Sequence, residues 1–262
     1  MSQNKLKVAF EEKKPVFGLF VFIDKPSVIE IMGYMGFDFA IFDGEHAYPD
    51  LETVEGMVRA AEIANITSLM RVPEDDFTTL SRVLETGIQG VLVPHVKTAE
   101  QARRIVRTCR FAPLGDRSFA NITRAGRYAS TSPSEFLSKG NEKIVIGVQI
   151  EEMEGVDNLS EIISVEGIDF MFIGPYDLAN SLGYPGNPGH PRVVSVMEKV
   201  IAEVSESGKI APGLHVDAPP YRVEKWLRLG ARFITCGEDI TALKRGFNEF
   251  LGICREAEAK VR

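Results

Sequence analysis

The chain has 262 residues, 44% of them hydrophobic, which suffices for a sizeable core in one large domain or two smaller ones. Lys and Arg number 30 against 37 Asp and Glu, a formal net charge of −7. The basic residues are spread along the chain without a polybasic arm, so a nucleic-acid or anionic-membrane surface is not expected.

Short apolar runs alternate with helix-period segments. PVFGLFVF (15–22) reads as a strand and is followed by a helix over about 27–35. FDFAIFD (37–43) is the second strand, and 51–64 is amphipathic. ITSLMRV (66–72) is the third, with a helix near 76–86. GVLVPHV (90–96) is the fourth, with a helix over 98–110, and 111–142 reads as a long loop-rich insertion. IVIGVQI (144–150) is the fifth, with a helix around 153–164. IDFMFIG (168–174) is the sixth, followed by a short helix from about Asp177 and a Gly/Pro-rich loop over 183–191. A helix near 192–207 leads to KIAPGLH (209–215), a helix at about 218–229 and ARFITCG (231–237). A long helix, about 238–258, ends the chain.

Strands that are apolar throughout, separated by helices, indicate a parallel sheet covered on both faces. Eight such units fit an α/β fold, a single (β/α)8 TIM barrel over 1–262 with a long C-terminal helix. A doubly wound open sheet is the rival, but no Gly-rich phosphate fingerprint follows the first strand. Cys109, Cys236 and Cys254 lie far apart, without CxxC or zinc spacing, and read as thiols in a reducing cytoplasm. The N-terminus lacks the apolar core of a signal peptide, and no run approaches the roughly 18 apolar residues of a membrane span. A cytoplasmic protein without a membrane is the expectation.

In a barrel, the C-terminal strand ends hold the active site. Asp43, Glu45 and His46 follow the second strand, Arg71 the third and His95 the fourth. Gln149 and Glu151 close the fifth, Asp177 the sixth and His215 the seventh. The opposite ends are ordinary turns such as EGID (166–169) and LGAR (229–232). Gln149 and Glu151, two apart, share one face of a strand. A carboxylate facing the lumen is costly unless it is paired or binds a cation. Glu151 and Asp177 suit Mg²⁺ or Mn²⁺ better than zinc. The bland alternative pairs Glu151 with Arg71 and makes Asp177 a helix cap. Arg71 would orient a carboxylate or stabilise an oxyanion, or else form a structural ion pair. His46, flanked by Asp43 and Glu45, is a candidate general acid/base. His95, His190 and His215 have weaker cases, each standing alone.

These residues resemble the HpcH/HpaI aldolases, metal-dependent pyruvate aldolases on a (β/α)8 barrel, over about 15–252. GFDFAIFDGEHAYPD, MRVP, GVLVPHVKTAEQARRIV, RFAPLGDRSFAN with RAGRY, VQIE and FIGPYDLANSLG carry the likeness in combination. The resemblance implies cleavage of a 4-hydroxy-2-oxo acid to pyruvate and an aldehyde. Glu151 and Asp177 would hold a divalent metal, Mg²⁺ or Mn²⁺ with Co²⁺ as an option. Gln149 would help hold the substrate, Arg71 would contact its keto oxygen, and His46 would be the acid/base. The N–H groups of Tyr176 and Asp177 would bind the carboxylate, with Asp43 and Glu45 supporting from behind. Phe20 stands where relatives often have Trp, forming a wall of the substrate pocket. Glu85, in LETG, stands where relatives carry an Asp paired with the catalytic His. Tyr48 and His95 also depart from the family pattern. A homo-oligomer is implied, a hexamer built from dimers that exchange terminal helices. No lysine falls clearly at an inner strand end, which weighs against a Schiff base. Two other readings stay open: an oxaloacetate-type decarboxylase or acyl-CoA lyase on the same barrel, and a non-catalytic keto-acid sensor.

Overall fold

A computed structural model describes residues 4–47, 49–73, 77–216 and 220–262. The strands are β1 (Val16–Val21), β2 (Phe39–Asp43), β3 (Thr67–Arg71), β4 (Gly90–Val93), β5 (Val145–Ile150), β6 (Phe170–Ile173), β7 (Ala211–His215) and β8 (Phe233–Glu238). They form a closed barrel in sequence order, every pair parallel, with β1 returning to β8. The barrel of the sequence reading is therefore the fold.

Residues alternate between lumen and outer shell with the strand period of two. Along β2 and β3, Phe39, Ile41 and Leu69 join the lumen cluster, while Ala40, Phe42 and Met70 pack outward against the helices. Phe39, Phe233 and Phe170 stack across the lumen with centroids 4.0 and 4.1 Å apart. Glycine makes room for them: a Cβ on Gly147 would lie 2.1 Å from the Phe170 ring, and one on Gly18 would lie 2.3 Å from the Phe39 carbonyl oxygen. Each buried ring contributes about 2–3 kcal/mol of apolar burial. This plug makes the barrel floor solid, so a ligand can enter only from a rim.

The helices between strands are α2 (Pro26–Tyr34), α3 (Leu51–Ile63), α4 (Phe77–Glu85), α5 (Ala99–Cys109), α10 (Pro191–Ser207) and α11 (Pro220–Arg228), close to expectation. The expected starts near 76 and 218, and Tyr48, lie outside the described residues. Four features differ. First, α1 (Lys5–Glu11) precedes β1 and closes the end opposite the strand C-termini. Leu6 is buried there, Phe10 reaches Phe170 and Phe233, and Asn4 donates to the carbonyls of Gln89 and Lys143. Second, the 111–142 insertion contains α6 (Pro133–Lys143), capped by Ser132. Third, the segment after β5 is two short helices, α7 (Met153–Asp157) and α8 (Leu159–Ile163), separated at Asn158, whose side chain donates to the Lys97 carbonyl. Fourth, α9 begins at Pro175 (Pro175–Ser181), two residues before the expected start, because Pro suits a first helical position. The last helix, α12, runs 23 residues over Asp239–Val261. Among the described residues no helix is long and apolar enough to cross a membrane.

Candidate active site

Asp43 ends β2 and points inward, fully buried. Its Oδ1 accepts the N–H groups of Glu45 (2.9 Å) and His46 (3.1 Å), so the carboxylate organises the turn that follows it. Gly44 lets that turn lie against β3, since a Cβ there would sit 2.7 Å from the Arg71 carbonyl oxygen. The register pairs Asp43 directly with Arg71. Arg71 Nε donates to Asp43 Oδ1 at 3.2 Å, and its Nη2 donates to Oδ2. Nη1 meets Glu45 Oε2 at 3.0 Å, and the guanidinium lies over the Phe20 ring, 4.6 Å from its centroid. Arginine supplies a planar fork that such a bidentate clamp requires. The buried cation is thus fixed by two carboxylates and a ring, with its remaining N–H bonds left for a ligand.

The other half of the site comes from β5 and β6. Gln149 and Glu151 do share one face: Gln149 Nε2 donates to Glu151 Oε2. Gly174 crowds this pair, a Cβ there meeting Glu151 Oε2 at 2.4 Å. Gln149 Oε1 is buried with no hydrogen-bond partner among the described residues. Burial pushes the Glu151 carboxyl up to about 7, opposed by the His95 N–H and reinforced by the negative charges of Asp177 and Glu45. The alternative pairing of Glu151 with Arg71 is not made, since Arg71 binds Asp43 and Glu45. Asp177 lies in the first turn of α9, where Gly174 is the cap residue, and accepts from Asn180 Nδ2 at 3.4 Å.

His95 joins the two halves. Its N–H donates to Glu151 Oε1 at 2.8 Å, and its Nδ1 lies 3.1 Å from the same atom and 3.3 Å from Glu152 Oε1. Its Nε2 reaches Glu45 Oε1 at 3.1 Å. The sequence treated His95 as isolated because its partners come from three other chain positions. The signal available was its place at the end of β4, beside β5. His46 lies at the mouth with 59% of its side chain exposed, its Nε2 3.9 Å from Glu45 Oε2. His215 bonds Thr235 and Glu238 and lies 6.3 Å from Phe20, so it extends the rim at β7 and β8. His190 instead caps α10.

Glu85 is not brought to His46 within this chain. It ends α4, at the barrel end opposite the rim, where Thr123 Oγ1 donates to Oε2 and Arg117 Nη2 to Oε1 at 3.2 Å. The Glu and Asp at this position resemble each other in sequence, but α4 carries Glu85 down the barrel wall, away from the turn after β2. Lys97 is tied to Glu152 at 2.8 Å, and that bond raises its pKa, which keeps its amine protonated rather than nucleophilic.

Among the described residues no three His, Cys, Asp or Glu side chains are grouped as a metal cage. A pair of carboxylate donors beside the unpartnered amide oxygen of Gln149 fits a hard cation that keeps water or substrate oxygens for its other positions.

A closed parallel barrel with an Arg clamp facing a carboxylate pair on its C-terminal rim defines an enzyme whose site handles oxyanions. Sequence comparison makes the class specific, and the chain belongs to the HpcH/HpaI aldolase/citrate lyase family, whose model matches residues 16–245. It is similar to the 4-hydroxy-2-oxo-heptane-1,7-dioate aldolase of Escherichia coli, 36% identical over 244 residues, covering 93% of this chain and 92% of that protein. The hydroxypyruvate/pyruvate aldolase of Pseudomonas aeruginosa is 35% identical over 250 residues, covering 95% and 92%. The crystal structure of an HpcH/HpaI aldolase from Desulfitobacterium hafniense superposes with a TM-score of 0.90 at 27% identity, covering 97% of this chain and 98% of that one. The protein is a carbon–carbon lyase.

Proposed function

We propose that the chain is a divalent-metal-dependent aldolase that cleaves a 4-hydroxy-2-oxo acid to pyruvate and an aldehyde, and runs the reverse addition. The observation that carries this reading is the buried Gln149–Glu151 pair, with an unpartnered oxygen, on the same rim as the fixed Arg71 guanidinium. A cation held by Glu151 and Asp177 supplies Lewis acidity at the keto acid.

The chain's own groups do the rest. Arg71 faces the keto oxygen and stabilises the enolate that develops there. Asp43 and Glu45 hold that guanidinium in place, so little reorganisation is needed as charge builds. His46 takes the proton of the 4-hydroxyl as the C3–C4 bond breaks. The bonding pair passes into the three-carbon fragment as its enolate, and the other fragment leaves as the aldehyde. Protonation of the enolate carbon gives pyruvate. The backbone N–H groups of Tyr176 and Asp177 are assigned to the carboxylate, Gln149 to holding the keto acid, and Phe20 to the apolar wall.

The protein works as a homo-oligomer in this reading. In α12, Ile240, Leu243, Phe247, Phe250 and Leu251 recur at helical spacing, and Phe247 and Phe250 are 61% and 68% exposed. A single copy leaves that stripe uncovered, and a second copy of the chain is its proposed cover, in dimers that build a hexamer. Dispersed cysteines, none in a disulfide among the described residues, support a cytoplasmic location.

Proton NMR of pyruvate in D₂O with metal-stripped protein tests the activity. Loss of the methyl signal after adding Mg²⁺ or Mn²⁺ supports enolisation. A folded protein that binds pyruvate and exchanges nothing with any divalent metal overturns it.

A further inference from the structure

A cavity lies at the barrel end opposite the candidate active site, beneath the 117–131 segment and beside α6, with a volume of about 730 Å³. Seven of its described lining residues are Lys or Arg and two are Glu. Four of the cations have carboxylate partners: Arg59 with Glu55, Arg117 with Glu85, Arg124 with Glu62 and Lys139 with Glu135. The other three do not. Lys5 donates to the Asn65 carbonyl, and no carboxylate among the described residues lies within ion-pair distance of Arg127 or Lys143. Cations thus outnumber carboxylates around one space, and three of them have no carboxylate within ion-pair distance among the described residues. An exposed surface disperses such charges, whereas a site for an anion concentrates them.

Two further observations point the same way. Lys143 is half-buried, and burial, then the charges of Arg127 and Lys139, hold its ammonium below the usual lysine value. Arg127 opens a run of three left-handed residues, with φ of 51°, 54° and 62° at Arg127, Tyr128 and Ala129. Side-chain-bearing residues seldom adopt this conformation. Bonds from Tyr128 N to the Thr123 carbonyl and from Ala129 N to the Asn121 carbonyl hold the run in place. Arg127 is therefore set at the cavity by a fixed turn rather than a loose loop.

We propose that this cavity is a binding site for a compact polyanion, a phosphate-bearing or polycarboxylate small molecule, held by Lys5, Arg127 and Lys143 and separate from the catalytic rim. Three cations without ion-pair partners match a ligand of two or three negative charges, and the volume admits a small metabolite. The site shares no residue with the aldolase reading, so it stands or falls independently.

Isothermal titration of the metal-free protein with inorganic phosphate, and separately with tricarballylate, tests this at constant ionic strength. Saturable binding of one equivalent per chain is expected for at least one probe, and which one binds distinguishes the two ligand chemistries. Arg127→Ala and Lys143→Ala should each weaken it about tenfold, while Arg71→Ala leaves it unchanged. Arg127 is exposed, so its variant tests the idea even if Lys143→Ala misfolds. No saturable binding of either probe overturns the proposal. So does a response matched by chloride, or binding lost in Arg71→Ala but kept in Arg127→Ala.

Discussion

The backbone N–H of His95 and the carboxylate of Glu151 meet at 2.8 Å, with His95 held at φ 55° to make the bond. That single N–H does not offset the burial of Glu151, which raises its carboxyl from 4.5 to about 7. A carboxyl held above its unfolded value contributes stability that is complete below pH 4.5 and lost as the pH rises through about 7. The metal-free protein should therefore become less stable between pH 5 and pH 8, by about 3 kcal/mol from this group. Glu151→Gln should flatten that part of the profile, and Mg²⁺ should raise the melting temperature more at pH 8 than at pH 5. Thermal melts of both proteins, with and without Mg²⁺, check it. A Glu151→Gln profile that parallels the wild type would refute the assignment.

Arg71 is the group whose replacement should separate catalysis from folding. Lysine keeps the charge but loses the fork that grips Asp43 through two nitrogens. Arg71→Lys should lower the rate of pyruvate methyl exchange by about 10²–10³-fold, the usual cost of one oxyanion donor. Circular dichroism should show an intact barrel. Exchange within a few-fold of wild type would remove Arg71 from the enolate.

The strand alternation made half of this site legible before any coordinates. A period of two along β2, β3 and β5 puts Asp43, Arg71, Gln149 and Glu151 on the lumen side of one rim. What it could not show were cross-chain partners. His95 stood alone in the sequence because Glu45, Glu151 and Glu152 approach it only when the barrel brings the ends of β2, β4 and β5 to one rim. Glu85 is the opposite case: its local motif fits, and within this chain its carboxylate meets Arg117 and Thr123 rather than His46. The helix α1 was hidden because seven residues, KLKVAFE, are too short to show a helical period. Leu6, Ala9 and Phe10 form its inner face, covered by the barrel floor rather than by neighbours in sequence.

His46 distinguishes aldol cleavage from decarboxylation at the same rim. Cleavage needs a base for the 4-hydroxyl proton, whereas loss of CO₂ from an oxaloacetate-like acid needs none. His46→Ala should lower cleavage of a 4-hydroxy-2-oxo acid by about 10²–10⁴-fold and leave oxaloacetate decarboxylation near its wild-type rate. With 59% of the side chain exposed, the substitution should barely affect stability. Coupled assays for pyruvate formation from each substrate measure the two rates. Equal losses in both would mean that His46 positions substrate rather than moving a proton.

The aromatic plug makes a prediction about the barrel itself. Gly147 faces the lumen where Phe170 fills the neighbouring space, and a methyl group there would meet the ring at 2.1 Å. Phe170 cannot swing aside, because it stacks on Phe233 at 4.1 Å and Phe10 closes the space below. Gly147→Ala should therefore cost about 1–3 kcal/mol through overpacking, measured by urea denaturation. Gly252→Ala is the control: on the face of α12 away from the Phe247 and Phe250 stripe, its would-be Cβ meets nothing within 4 Å. There alanine should be neutral or stabilising by up to about 1 kcal/mol, through helix propensity. If both substitutions had the same effect, the lumen would be looser than the ring stack implies, and the fixed floor beneath Arg71 and Gln149 would lose its support.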